Sequence, residues 1–267
     1  MFNGSALAGK VAFISGGTSG INLGTAIGFA QQGAKVAVIG RDLAKAERAA
    51  AKIIEESGGE AIGLSADVRD YAALDDALRI AREKFGKINI VIAGAAGNFP
   101  ASAVNLSAKG FRTVVEIDLL GTYNLFRAAF DHIEKQGASL IAMTAGGAVK
   151  PMPYQLHACA AKAGVNMVVK CLAMEWGPAG IRVNAISPGP IEGTEGAGDR
   201  MIPPDRKQQF IQSIPLRRFG TAEEIANAAI FLSSDLARYI TGLVLDCEGG
   251  YQLGDASLDC LTVIPRQ

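Results

Sequence analysis

The sequence lacks the residues that build metal centres and disulfide frameworks. Its 267 residues include two histidines and four cysteines, Cys159, Cys171, Cys247 and Cys260, with no CxxC pair. Metal sites and disulfide scaffolds need such side chains in clusters, so neither is expected. Charge of one sign is missing as well: 26 Lys and Arg balance 26 Asp and Glu. That balance removes the electrostatic case for a nucleic acid or a membrane surface as partner. No apolar run reaches the roughly 18 residues of a spanning helix. The first ten residues, MFNGSALAGK, have neither a basic n-region nor an apolar h-region, and the final PRQ is not an address of the S-K-L type. The expectation is a soluble, cytoplasmic protein of a reducing compartment, with no metal, nucleic-acid or membrane partner.

What is present is a series of short apolar runs, each followed by a helix-like segment. They are KVAFIS (10–15), KVAVIG (35–40), AIGLSAD (61–67), INIVIAG (88–94), SLIAMTA (139–145), IRVNAIS (181–187) and GLVLDCEG (242–249). Runs without polar alternation point to strands covered on both faces. Their alternation with helices points to an α/β fold with a doubly wound parallel sheet of about seven strands. No repeat or linker divides the chain, so residues 1–267 read as one domain. The Gly- and Pro-rich stretch SPGPIEGTEGAGDRMIPPD (187–205) reads as a binding loop, with flexible substrate contact expected across about 190–210.

After the first run comes SGGTSGINLGTAIGFAQQGA. Glycines between a strand and a helix let a pyrophosphate approach backbone N–H groups and the positive helix end. A glycine-rich turn by itself can be a mere tight connection, but this one opens the first βα unit of a doubly wound pattern. The second run ends VIGRD, with Gly40 where an acid would bind a ribose 2′-hydroxyl, followed by Arg41. A guanidinium there can pair with a 2′-phosphate, which indicates NADP(H); the alternative is a solvated helix-start residue.

The spacing Gly16-xxx-Gly20-Ile21 resembles the TGxxxGIG turn of the short-chain dehydrogenase/reductase family, with Ser15 for the Thr and Asn22 for the third Gly. The resemblance runs from Lys10 to about Gly250 and includes SPGPI (187–191) and CEGG (247–250). It implies a Rossmann-like fold and cofactor contacts from Gly16, Thr18, Ser19, Gly20, Ile21, Arg41, Asp67, Val68, Ala95, Lys162, Pro188, Gly189 and Ile191. The family's usual Ser–Tyr–Lys set plus Asn falls here on Ala145, Ala158, Lys162 and Asp118. An alanine cannot supply a proton transfer worth about 10²–10⁴-fold. The combination of AAGNF (95–99), Asp118, HACAAKAG (157–164) and PGPIEGTEG (188–196) resembles the 2,4-dienoyl-CoA reductase branch, nearest to the peroxisomal type, which lacks the tyrosine and keeps the lysine.

Reduction of a conjugated thioester explains how the tyrosine can be dispensed with. Hydride goes to a carbon, charge develops on the distant thioester oxygen, and a donor is needed there together with a proton source for carbon. Asp118, directly or through water, is the candidate proton source if burial raises its pKa. Lys162 would hold the ribose, and Thr144 would add a hydroxyl. Asn98, Phe99 and Thr194 would bind substrate, and Arg217 and Arg218 are candidates for CoA phosphates. The resemblance also implies a homotetramer, built on the nearly all-apolar segment 157–178 and its neighbour.

Each residue has a plainer alternative. Lys162, Asn166 and Lys170 fall at four-residue steps and can form a polar stripe. Asp118 can belong to a structural ion pair, and Asn98 can simply turn the chain. Tyr154 and His157 flank the vacant tyrosine position; a displaced Tyr154 would make the protein a carbonyl reductase or alcohol dehydrogenase. A catalytically silent NADP-binding protein is the reading of another class.

Overall fold

The computed structural model describes residues 5–194 and 202–258. Seven parallel strands form one sheet in the order β3-β2-β1-β4-β5-β6-β7. They are β1 (Val11–Ser15), β2 (Lys35–Gly40), β3 (Ala61–Ser65), β4 (Ile90–Ala93), β5 (Ser139–Met143), β6 (Arg182–Pro188) and β7 (Val244–Cys247). All seven expected strands are present; β2 matches its run, β6 reaches on to Pro188, and others are trimmed, with Ala66 and Asp67 beyond β3 and Thr144 and Ala145 beyond β5. The apolar runs extend past the ladders because residues leaving a buried strand remain covered.

Side chains alternate across a strand, and here both faces are apolar. Val11 and Phe13 enter one core, with Val91, Leu140 and Val183. Ala12 and Ile14 enter the other, with Ile90, Ile92 and Ile141. Helices cover both: α1 (Gly20–Gln31), α2 (Leu43–Ser57), α3 (Tyr71–Phe85), α4 (Ala108–Val115), α5 (Gly121–Ala129), α6 (Leu156–Trp176), α7 (Lys207–Ser213) and α8 (Ala222–Ser233). Helix α2 shows why the sequence folds locally as it does. Asp42 accepts from Lys45 N at its start, and Gly58 at φ +69° ends it.

Two features position the site. The strand order reverses at β1, which pairs with β2 on one side and β4 on the other, so the loops leaving β1 and β4 part and open a crevice. Between α4 and α5, residues Glu116–Leu120 form one π-helical turn, and Gly121 N donates to Glu116 O. Such turns displace a side chain from the regular helical register. The displaced segment carries Asp118.

The stretch expected to be irregular is partly regular. Ile191 bridges to Gly220, and a 3₁₀ turn at Pro204–Arg206 leads into α7. Ile202, Ile214 and Phe219 make a small core there with Phe210 and Tyr251. Apolar residues within a Gly/Pro-rich sequence gave these elements something to pack on. Residues 195–201 of the expected loop lie outside the described residues.

Helix α8 begins with a capping box between Thr221 and Glu224. Arg218 grips the same Glu224 through two hydrogen bonds, and it is the Arg218 pair, first, then the Thr221 N–H, that push the Glu224 pKa down to about 2. Arg218 is thus committed to the fold. A carboxylate with a depressed pKa stabilises above its ordinary pKa of 4.5, and that stability fades as pH falls toward about 2. The Glu224→Gln protein should be about 1 kcal/mol less stable at pH 7 after allowance for solvent screening. Its urea denaturation midpoint should also vary less between those pH limits than the wild-type midpoint.

Candidate active site

The glycine turn sits in the crevice, against the end of β4. Ser15 Oγ accepts from Gly94 N at 3.1 Å and Ala95 N at 3.3 Å and donates to Ile92 O, so the serine does the hydroxyl's work of joining β1 to β4. Gly16 holds φ +67°, and a Cβ there would lie 2.8 Å from Gly94 O. Asn22 fills the space left by the family's third glycine, and its Nδ2 donates to Gly94 O at 2.8 Å. Helix–strand packing has adjusted through that bond; a Cβ on Gly94 would overlap the Asn22 side chain.

The first turn of α1 is free for an anion. Its N-cap, Ser19, makes no side-chain cap, and no acidic residue lies in the turn, so the N–H groups at Gly20 and Ile21 keep their donors. Thr18 stands over Gly40 at the end of β2. Arg41, next in the chain, is exposed. Asp67 pairs with Arg69 at 2.6 Å, and that bond, partly offset by burial, lowers its pKa, with Arg41 adding to the effect. Val68 is buried beneath Gly121, and its carbonyl accepts from Asn124. Pro188 ends β6, Gly189 lies against Glu248, and Ile191 is buried. These residues form a cradle that side chains would obstruct, which suits a dinucleotide. Thr194, expected beside substrate, lies over the glycine turn, its Cγ2 3.9 Å from a Cβ built on Gly20.

Beyond the cradle lies a buried ion pair. Asp118 and Lys162 are only 1% and 8% exposed, and Lys162 Nζ is 3.2 Å from Asp118 Oδ2. The ammonium also donates to Met143 O at 2.8 Å, and Asp118 Oδ1 accepts from Gly97 N at 2.7 Å. Thr122 Oγ1 donates to the Asp118 carbonyl. Lys162 is therefore not part of a solvated polar stripe, since the helix turns it inward. An isolated buried charge is costly, and here each charge is met by its opposite and by a main-chain partner. Two of the three ammonium N–H bonds are used, leaving one donor for a ligand. Thr144 is buried alongside, its Oγ1 3.4 Å from Lys162 O.

The loop after β4 closes over the start of α6. Asn98 Nδ2 donates to Gln155 Oε1 at 3.0 Å, and Ala101 N donates to Tyr154 O. The Phe99 ring meets the His157 ring at 4.6 Å between centroids. His157 is fully buried, and desolvation lowers its pKa. Tyr154 points the other way: it is 62% exposed, at φ +64°. Ala158 is buried where the family tyrosine would stand. Gln155, Gly97 and the Met143 carbonyl enter the arrangement without advance notice, since main-chain groups carry no sequence signal and Gln155 no motif.

The profile of the enoyl-(acyl carrier protein) reductase family matches residues 16–252. The chain belongs to the short-chain dehydrogenase/reductase family. It is 42% identical to the peroxisomal 2,4-dienoyl-CoA reductase [(3E)-enoyl-CoA-producing] of Rattus norvegicus, covering 90% of this chain and 83% of that protein. The peroxisomal 2,4-dienoyl-CoA reductase of Saccharomyces cerevisiae is 39% identical, over 91% and 84%. Among solved structures, a short chain dehydrogenase from Bacillus anthracis superposes with TM-score 0.82 at 41% identity, over 91% of this chain and 96% of that one. The 3-ketoacyl-(acyl-carrier-protein) reductase of Brucella melitensis, solved with NADH, gives 0.84 at 35% identity, over 92% and 99%. The chain is an oxidoreductase of the nicotinamide-dependent kind.

Removing Asp118 leaves the buried ammonium with a carbonyl as its one protein acceptor. Asp118→Ala should therefore cost about 3–5 kcal/mol of stability in urea unfolding. The double variant Asp118→Leu, Lys162→Met should recover most of that loss, because an apolar pair of similar volume avoids desolvating two charges.

Proposed function

We propose that the protein reduces a conjugated 2,4-dienoyl-CoA, or a related enoyl thioester, with NADPH. The observation that carries this reading is the buried Asp118–Lys162 pair beside two alanines, Ala145 and Ala158, in place of a hydroxyl-bearing acid. Such a site lacks the tyrosine that would protonate a carbonyl oxygen as hydride reaches its carbon, yet it keeps a cation and a carboxylate. The nicotinamide cofactor supplies the hydride when bound.

The chain's own groups do the rest. Gly16, Thr18, Ser19, Gly20 and Ile21 cradle the phosphates, Arg41 meets a 2′-phosphate, and Asp67, Val68 and Ala95 border the adenosine end. Pro188, Gly189 and Ile191 border the nicotinamide end. The spare N–H of Lys162 holds the ribose. Asp118, whose two oxygens already accept protein donors, relays through water to carbon a proton that Lys162 gives up across the ion pair, and solvent returns a proton to Lys162. Asn98, with one amide N–H left after Gln155, orients the thioester oxygen together with Thr144, and Phe99 and Thr194 flank the acyl chain. The whole of 1–267 acts as one domain around this centre.

NADPH oxidation followed at the cofactor's absorbance with a dienoyl-CoA tests the reading. Turnover is expected with NADPH preferred to NADH, Arg41→Ala should erase the preference, and Asp118→Asn should lower kcat about 10²-fold or more. Tyr154→Phe should leave the rate unchanged. Its collapse, with reduction of simple ketones, would instead establish a displaced tyrosine acid, and tight NADPH binding with no turnover would establish a silent binding protein.

We further propose a homotetramer. On α6, Leu156, Ala160, Ala163, Met167 and Met174 form an exposed apolar stripe at helical spacing, with exposed Leu120 and Tyr123 near the start of α5. An apolar band of this kind calls for a covering surface. Gel filtration should give about four times the chain mass of 27.7 kDa, and Met167→Lys with Met174→Lys should shift it toward the monomer.

A further inference from the structure

At the opposite end of the sheet from Asp118 and Lys162, a cavity of about 270 Å³ is lined by Gly180, Arg182, Ser234, Asp235, Arg238 and Thr241, among others. Arg182 is the first residue of β6, level with Ser139 at the start of β5, whereas the ion pair lies at the far end beside Met143. Arg182 is 9% exposed, and its side chain makes one long hydrogen bond, from Nη1 to Ile240 O at 3.4 Å. A guanidinium has five N–H donors, and those that Arg182 does not spend on Ile240 are left at the cavity, where a ligand can reach them.

A structural clip does not account for this arginine. Asn184 Nδ2 already donates to the same Ile240 carbonyl at the shorter distance of 3.0 Å, and Asn184 Oδ1 accepts from Leu243 N. Ser139 Oγ secures Leu232 O on the other side. The carboxylate that acts on Arg182, Asp235, is shared: Arg238 Nη2 lies 2.6 Å from it and Lys10 Nζ 3.5 Å. Three cations thus draw on one carboxylate among the described residues. Burial depresses the Arg182 pKa, and Asp235 offsets that only in part.

We propose that this cavity binds a free tetrahedral oxyanion of the phosphate type, held by the Arg182 fork from within and by Arg238 at the rim. Planar N–H pairs match the oxygens of such an ion, which would supply the acceptors that the protein does not. The cavity, at about 270 Å³, has room for a small ion. Because β6 runs from Arg182 to Pro188, an anion there would stabilise the strand that delivers Pro188, Gly189 and Ile191.

The test is thermal unfolding of the full chain saturated with NADP⁺ and CoA, in sodium phosphate against sodium chloride at equal ionic strength. Phosphate at ten times its dissociation constant should raise Tm by about 3–6 °C. Arg238→Ala, an exposed rim change that should fold normally, should weaken phosphate binding about five-fold in calorimetric titration. Arg182→Lys, which keeps charge but loses the fork, should weaken it more. Equal Tm values in the two salts, or a phosphate response unchanged in Arg238→Ala and Arg182→Lys, would overturn the assignment.

Discussion

The constraint on which the site depends is the cost of burying an ammonium and a carboxylate together. Neither Lys162 nor Asp118 tolerates burial without the other, and the pair persists because main-chain atoms complete both coordination sets. Those atoms come from two different places, the end of β5 and the loop after β4, while the π-helical turn before α5 carries Asp118 itself. Fixing the pair therefore fixes where the loop after β4 lies, and that loop is the floor of the cofactor cradle. A single electrostatic requirement ties the glycine cradle to the buried pair.

The same economy appears at the family's altered positions. A serine in place of threonine keeps the oxygen that joins β1 to β4. Asn22 in place of glycine occupies space that would be empty and replaces it with a bond to Gly94 O. Loss of tyrosine and serine at 158 and 145 removes hydroxyls without leaving the lysine unpaired, because Asp118 takes up the charge. Each replacement changes chemistry locally while the sheet, which supplies the geometry, stays the same.

The two ends of the sheet differ in how they treat charge. At the end that holds Asp118 and Lys162, cation and carboxylate are matched one to one and braced by the backbone. At the far end, Arg182, Arg238 and Lys10 share Asp235, and the deeper guanidinium meets only a carbonyl that Asn184 already serves. The contrast identifies the first as a closed design and the second as one still open to a small anion.

The apolar runs determined the sheet by themselves, since a continuous Val/Ile/Ala strand has only one comfortable setting, covered on both faces. The glycine turn was legible for a similar reason: close backbone approach at Gly16 admits no side chain. Asp118, Lys162, Ala158 and Ala145 could be assigned positions because they sit in dense motifs. Tertiary structure alone decided what these residues touch. It turned Lys162 inward, left Tyr154 in solvent, spent Arg218 on Glu224, and set Thr194 over the glycine turn. It also made a π-helical turn around Asp118 and a tilted ring contact between Phe99 and the buried His157, neither of which has a local signature. Partners such as the Met143 carbonyl and Gly97 N are main-chain groups common to every residue, so only the path of the chain in space can say which of them meets a buried charge.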